Sequence, residues 1–366
     1  MRPTTTGLSY SASTPSTVST GWDIALDALE LWVADLSSTQ RLLTAVLGFQ
    51  LVGVPTERKP DEEAVFLVNG GVRVILRQGM SEENPIARHV RQHGDTVADV
   101  ALVCADPAAV ANRAVAHGLR VWGTPDTPRI DLFDDGTVCH SVRRAPSFCG
   151  PPAGESPQMR MIDHVGYCLP WGSADTVASA YEKVFGLQRA DADSLNEVGN
   201  KATGMRSIVL RSALGFTVVL TEPASPASTG QTQRFLDAHA GPGVQHAAFG
   251  WGHDDLFAAV ESLRSSGLEF LPVPDAYYAQ AQQRLPEAPV PWETLRRLGI
   301  LVDADDQGLL FQLFTRPITS HGTFFIELIQ RSGAVGFGAN NVRALFEAVQ
   351  ATMEAHPGGV ARDEDV

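Results

Sequence analysis

The sequence predicts an α+β protein made of duplicated βαβββ modules that curl into two open barrel-like domains. Three observations carry this expectation. The second half of the 366-residue chain echoes the first at matching places: DALELWV around Asp27 against DHVGYCL around Asp163, GDTVADVAL around Asp99 against GPGVQHAAF around His246, and GTVCHSVRR around Ser141 against GTFFIELIQR around Glu327. Short apolar runs alternate with turn residues, as strands do, and longer runs of helical periodicity lie between them. Hydrophobic residues make up 44% of the chain and charged residues 19%, enough for each half to bury a core.

The elements follow in order. Residues 1–22 are rich in Ser and Thr, lack the apolar core of a signal peptide, and are expected to be a disordered tail. Residues 23–150 form the first repeat: the strand at DALELWV, a helix over SSTQRLLTAVLG, strands AVFLVNG and GVRVILRQ, the strand after Asp95, a helix over PAAVANRAVAHG, and the strand around Ser141. A Pro- and Gly-rich stretch (APSFCGPPAGESPQ) leads through a linker at 151–160. Residues 161–353 form the second repeat, with helices over SADTVASAYEKVFG and DDLFAAVESLRSSG and strands RSIVLRS and GFTVVLTEP. Leu256, Val260 and Leu263 mark one apolar stripe, and Gly118 and Gly267 are placed to close their helices. Residues 354–366 are expected to fray.

Charge and composition exclude several classes. A net charge of −14 argues against nucleic acid and anionic membrane as partners. No apolar run approaches a membrane span. Cys104, Cys139, Cys149 and Cys168 are dispersed without a CxxC pair, which fits reduced thiols in the cytoplasm.

Laid over each other, the halves set Ala28 against His164, Asp99 against His246 and Ser141 against Glu327. Each of the latter three lies in a strand-like segment. Taken alone, either histidine reads as an ordinary core or surface residue, and Glu327 as a partner for Arg331 or Arg343. Their joint occurrence at equivalent slots of one half only points to a metal site. A carboxylate among Phe324, Phe325, Ile326, Leu328 and Ile329 is costly to bury unpaired, and a cation removes that cost. Two imidazoles and one carboxylate on one face leave open positions on an octahedral Fe(II), as in non-haem iron oxygenases.

IDHVGY, GPGVQHAAF, LLFQLFTRP, FFIELIQR and GFGANNVRALFEAV together resemble 4-hydroxyphenylpyruvate dioxygenase and its sister 4-hydroxymandelate synthase, of the vicinal-oxygen-chelate superfamily. The resemblance covers about 23–353 and is strongest after 160. It implies the vicinal-oxygen-chelate fold, a non-catalytic first repeat, and Fe(II) held by His164, His246 and Glu327. It implies an aryl 2-oxo acid and O₂ as the small-molecule partners and a homo-oligomer, dimer or tetramer. By the same resemblance Gln245, Gln312, Ser207 and Asn341 are candidate catalytic residues, and Gln231, Phe314, Phe325 and Phe337 candidate pocket residues, with NVRALFEAV as a lid helix presenting Val342, Leu345 and Phe346.

The chain departs from the dioxygenase pattern in two places. VLTEP stands where the dioxygenase usually has PINEP, so Val219 and Thr221 replace Pro and Asn. Val342 stands where the dioxygenase has a Phe, and the mandelate synthase has an aliphatic residue there. A smaller wall lets the substrate ring tilt and brings the benzylic carbon forward, so 4-hydroxymandelate is the expected product. Homogentisate, or turnover of another 2-oxo acid, is the alternative. Two rivals come from the same fold. A metal-free sequestering protein has no need for the His/His/Glu set. A glyoxalase-like isomerase needs a fourth ligand, and an extradiol enzyme needs a pocket histidine; His239, His253 and His321 are all in polar, turn-like contexts that read as exposed.

Overall fold

The computed structural model describes residues 22–53, 60–133, 136–144, 159–190, 198–199, 201–252, 255–319, 321–338 and 340–343. Residues 151–158 of the expected linker, the C-terminal tail, most of the N-terminal tail, and Cys149, His253, Leu345 and Phe346 lie outside these residues.

The first repeat runs β1 (Ala25–Trp32), α1 (Leu36–Arg41, prolonged by a π-helical turn, Leu42–Val46), β2 (Gln50–Gly53), β3 (Glu62–Asn69) and β4 (Val72–Gly79). After α2 (Pro85–His93) come β5 (Thr96–Cys104), α3 (Pro107–Ala116), β6 (Arg120–Thr124), β7 (Thr127–Asp131) and β8 (Cys139–Arg144). The second repeat runs β9 (Met159–Cys168), α4 (Ala174–Ala180, prolonged by Tyr181–Phe185), β10 (Gln188–Arg189), β11 (Met205–Arg211) and β12 (Thr217–Pro223). It continues with α5 (Gln231–His239), β13 (Gly243–Trp251), α6 (Asp255–Ser265), α7 (Asp275–Arg284), α8 (Trp292–Leu298), β14 (Leu301–Asp305), β15 (Gly308–Phe314) and β16 (Phe325–Ser332). The βαβββ unit therefore recurs four times. Helices α7 and α8 are an insertion in the last unit, and β9 begins at Met159, inside the stretch expected to be linker.

Each repeat is one 8-stranded mixed sheet: β2-β3-β4-β1-β5-β8-β7-β6 in the first, β10-β11-β12-β9-β13-β16-β15-β14 in the second. The sequence pattern accounts for the local structure. Asp35 and Asp106 cap α1 and α3 by accepting from the backbone N–H groups of Ser38 and Ala109. Leu256, Val260 and Leu263 of α6 are buried. The core is continuous across both repeats. Phe49 meets Phe249 with ring centroids 6.2 Å apart, and His140 on β8 bonds the Tyr181 hydroxyl at 2.8 Å.

The registers confirm the alignment of the halves. Ala28 pairs with Ala101 and Glu30 with Asp99 in the first sheet; His164 pairs with Ala248 and Gly166 with His246 in the second. Asp99 pairs with Cys139 and His246 with Phe325, which sets Ser141 against Glu327. Even the irregularities repeat. The pairing skips Asp27 and Ala98 in one sheet and Asp163 and Gln245 in the other, each a β-bulge directly before a site slot; the second sheet also skips Arg160, which has no counterpart in the first.

Two sequence expectations need correction. His239 is fully buried at the end of α5, where its Nδ1 lies 3.1 Å from the Gly241 carbonyl and its Nε2 3.0 Å from the Thr96 hydroxyl. Trp22, counted with the tail, lies under the Arg113 guanidinium at 4.0 Å. Cys104, Cys139 and Cys168 are free and buried.

Candidate metal centre

Three neighbouring central strands of the second sheet each deliver one ligand group. His164 comes from β9, His246 from β13 and Glu327 from β16, and their ligand atoms all lie within 4.8 Å of one another. The His164 Nε2 is 3.3 Å and the His246 Nε2 4.0 Å from the Glu327 Oε2. Ligands about 2 Å from a metal and at right angles to each other sit about 3 Å apart, so the set is close to a facial triad. Among the described residues no other cluster of His, Cys, Asp or Glu meets this test.

The bulges explain how the imidazoles are aimed. On a regular strand, neighbours point to opposite faces. The bulge at Asp163 lets its carboxylate reach back to the His164 Nδ1 at 2.9 Å, and the bulge at Gln245 lets its carbonyl oxygen reach the His246 Nδ1 at 3.1 Å. Each Nδ1 is thereby occupied and each Nε2 is left for the metal. Gly166 is required beside them, because a Cβ there would lie 2.0 Å from the His246 Cε1. Phe325 stacks on the His246 ring with centroids 5.0 Å apart, and the Phe337 ring meets His164 edge-on at 5.2 Å.

The third ligand is fixed in the same way. Gln312 on β15 donates its Nε2 to the Glu327 Oε1 at 2.8 Å, leaving Oε2 towards the imidazoles. The Asn341 Nδ2 donates to the Gln312 Oε1 at 2.8 Å.

The electrostatics favour positive charge between the three side chains. Burial opposes charge on His164, yet the Glu327 and Asp163 carboxylates hold it up at about 9. Burial and the neighbouring His164 push His246 down to about 4. Burial would raise Asp163, but the Arg331 guanidinium and His164 hold its carboxyl well below the usual range. A proton on His164 stands where a bound metal would supply positive charge. The donor set fits a borderline divalent cation such as Fe(II).

The remaining expected residues fall on the same sheet or at its open side. Ser207 on β11 pairs in register with Thr221 on β12, and their hydroxyls bond at 2.9 Å. Val219 packs with Val209 and Phe337, with Val342 alongside. Phe314 lies in register with Glu327 and meets Phe325 edge-on at 6.1 Å. Gln231 opens α5 and donates to the Met205 sulfur at 3.5 Å, beside Val342. Residues 340–343 are helical, with Asn341 fully buried.

Three residues escaped the sequence reading of this site. Asp163 marked the repeat but was given no role. Arg331, considered only as a partner for Glu327, instead grips Asp163 through Nε at 2.7 Å and Nη2 at 2.9 Å. Tyr277 was not singled out; its hydroxyl bonds the Asn341 Oδ1 at 2.6 Å. The one available signal was the Asp that precedes the first slot in both repeats.

The Glyoxalase/Bleomycin resistance protein/Dioxygenase superfamily matches residues 25–133 and 161–312. A probable 4-hydroxyphenylpyruvate dioxygenase 2 from Aspergillus fumigatus is 32% identical over 331 residues, covering 79% of this chain and 81% of that protein. A 4-hydroxyphenylpyruvate dioxygenase from Yarrowia lipolytica is 30% identical, covering 77% and 79%. Among solved structures, a mutant of 4-hydroxymandelate synthase from Streptomyces coelicolor superposes with a TM-score of 0.78 at 34% identity, covering 91% of this chain and 99% of that one.

Proposed function

The chain belongs to the glyoxalase/bleomycin resistance protein/dioxygenase superfamily and is a non-haem dioxygenase-type oxidoreductase, and from that premise we propose that it converts 4-hydroxyphenylpyruvate to 4-hydroxymandelate with Fe(II) and O₂. Bound by His164, His246 and Glu327, iron would supply the activation of O₂ that drives oxidative decarboxylation of the 2-oxo acid and hydroxylation of the product. The substrate carries its own 2-oxo acid, so no second organic co-substrate is needed.

The protein's part is placement. Asp163, Gln245 and Gln312 hold the three ligands in one orientation. Phe314, Phe325 and Phe337 supply aromatic walls that exclude water from the reacting end. Ser207, Thr221 and Gln231 supply the polar contacts of the pocket, and Asn341 holds Gln312 from behind. The observation that carries the choice of product is the apolar cluster of Val209, Val219 and Phe337 with the aliphatic Val342 against it. A Phe in place of Val342 would fill that side; Val leaves space for the ring to tilt, which brings the benzylic carbon rather than the ring carbon towards the oxidant.

Homogentisate formation is the second reading, favoured by the names of the curated relatives, which are 4-hydroxyphenylpyruvate dioxygenases. A cytoplasmic homo-oligomer, dimer or tetramer, with no nucleic-acid or membrane partner, completes the proposal. No described helix is long and apolar enough to cross a membrane. The test is to incubate Fe(II)-loaded protein with 4-hydroxyphenylpyruvate and O₂ and separate the products by chromatography against both standards. 4-Hydroxymandelate is expected; homogentisate would overturn the role given to Val342. Absence of O₂ uptake would redirect the search to other 2-oxo acids.

A further inference from the structure

The ligand carboxylate of Glu327 is the end of a buried hydrogen-bond chain that starts in the inserted helix α7. The Tyr277 hydroxyl lies 2.6 Å from the Asn341 Oδ1 and accepts from the Val302 N–H at 2.7 Å, with the Val302 carbonyl also 2.7 Å away. Asn341 then donates to the Gln312 Oε1, and Gln312 donates to the Glu327 Oε1, each at 2.8 Å. Tyr277 is 6% exposed, Asn341 0%, Gln312 2% and Glu327 2%. Away from water, each amide has one orientation that satisfies its neighbours. Loss of the acceptor role of Asn341 Oδ1 at one end frees its amide to turn, which would leave Gln312 without a donor and Glu327 free to rotate.

The same chain joins the metal centre to the segment that covers it. Strand β14, at the edge of the sheet, grips this segment at three points. The Asp305 Oδ2 accepts from the N–H groups of Val335 and Gly336 at 2.7 and 2.8 Å, and the Asp303 Oδ2 accepts from the Asn340 N–H at 3.0 Å. Gly338 has a φ of +67°, and a Cβ on it would lie 2.6 Å from the Gln312 Oε1 and 3.2 Å from the Asn341 Nδ2. The covering segment is therefore shaped around the chain of bonds.

We propose that Tyr277 is a positioning residue for the metal centre: by fixing Asn341 and through it Gln312, it makes the seating of residues 335–338 and 340–343 set the orientation of the Glu327 carboxylate. This rests on the reading of His164, His246 and Glu327 as metal ligands. Among the described residues the first repeat has no counterpart of α7, so the device belongs to the repeat that carries the ligands.

The test compares two tyrosines on one helix. Tyr278 is also buried, but its hydroxyl donates to the Leu295 carbonyl at 3.2 Å, on α8 and away from the metal centre. Co(II), an oxygen-stable probe, is titrated into apo-protein and its affinity read from the d–d absorption bands. Tyr277→Phe is expected to bind Co(II) roughly tenfold more weakly than wild type, with changed band intensities, as outer-sphere partners do. Tyr278→Phe is expected to match wild type in affinity and spectrum. Asn341→Ala breaks the chain independently, and the double variant Tyr277→Phe/Asn341→Ala should bind no worse than Asn341→Ala alone; should Tyr277→Phe not fold by circular dichroism, Asn341→Ala against Tyr278→Phe gives the same reading. In the Fe(II) enzyme the loss is expected in kcat more than in KM. If wild type takes up no Co(II), the metal reading itself fails. If wild type binds while Tyr277→Phe, or Asn341→Ala in its stead, behaves like Tyr278→Phe, the metal reading stands and the positioning role is overturned.

Discussion

The two repeats share a strand order and the bulges before their site slots, and differ in what they hold at those slots. In the second, His164, His246 and Glu327 converge, and Gly166 makes room for the His246 ring. In the first, the corresponding positions are Ala28, Asp99, Ser141 and Glu30. With no imidazole to accommodate, the glycine slot carries a carboxylate, and the interior neutralises itself with arginines: Arg77 pairs with Glu30 at 2.9 Å, Arg129 with Asp99 at 3.5 Å and Arg73 with Asp27 at 2.9 Å. The bulged Asp before the first slot survives in both. In one repeat it orients a ligand, and in the other it only pairs with arginines. The scaffold therefore does not by itself specify the site: strand order and bulges are compatible with a metal centre or with a filled ionic core, and a handful of side chains decides which.

The strongest way to break the comparison is to remove a ligand. His164→Ala or Glu327→Ala should lose metal binding and lower kcat/KM by more than about 100-fold, because the shell that orients the ligands is itself worth 10–100-fold; metal analysis and O₂ uptake check this. Ser141→Ala, at the slot equivalent to Glu327, should leave both within about twofold. Next in size is Gly166→Ala. Its Cβ collides with the His246 ring, and overpacking of this kind costs about 1–3 kcal/mol. The expected result is a lower denaturation midpoint together with weakened metal binding. Asp163→Ala is smaller. It strands Arg331 and releases the His164 Nδ1, so metal affinity should fall about tenfold while the fold persists.

The smallest effect is in the first repeat. Burial and the neighbouring Glu30 raise Asp99 to about 6, against the usual 3.8. Between those values the folded state holds a proton that the unfolded chain has released. This contribution is fully present below pH 3.8 and is lost as the pH rises through 6. Asp99→Asn removes the titration, so relative to wild type it should gain stability between pH 4 and pH 7.5, on the order of 1 kcal/mol. Denaturant unfolding at the two pH values checks the sign.

Much of this architecture was legible in the sequence because it rests on signals that survive substitution. Short apolar strands, helical periodicity between them, glycines closing α3 and α6, and the matching segments of the two halves pointed to the four modules. The ligand slots were legible because the halves could be laid over each other. The bulges were not, since a skipped pairing changes no residue type and shows only in the register. For the same reason Asp163 and Gln245 could not be seen to reach back to their own neighbours. Arg331 and Tyr277 were missed because their partners lie far away in the chain. His239 misled because a Gly-Pro-Gly turn follows it, while the ring itself stacks on Phe235 and packs under α2 near His93.

One measurement bears most directly on a metal centre confined to one repeat: the stoichiometry of Co(II) bound to apo-protein, determined by equilibrium dialysis for wild type, Glu327→Ala and Asp99→Asn. One equivalent per chain is expected for wild type and for Asp99→Asn, and none for Glu327→Ala. Two equivalents in wild type, or one retained by Glu327→Ala, would contradict the division of roles between the repeats.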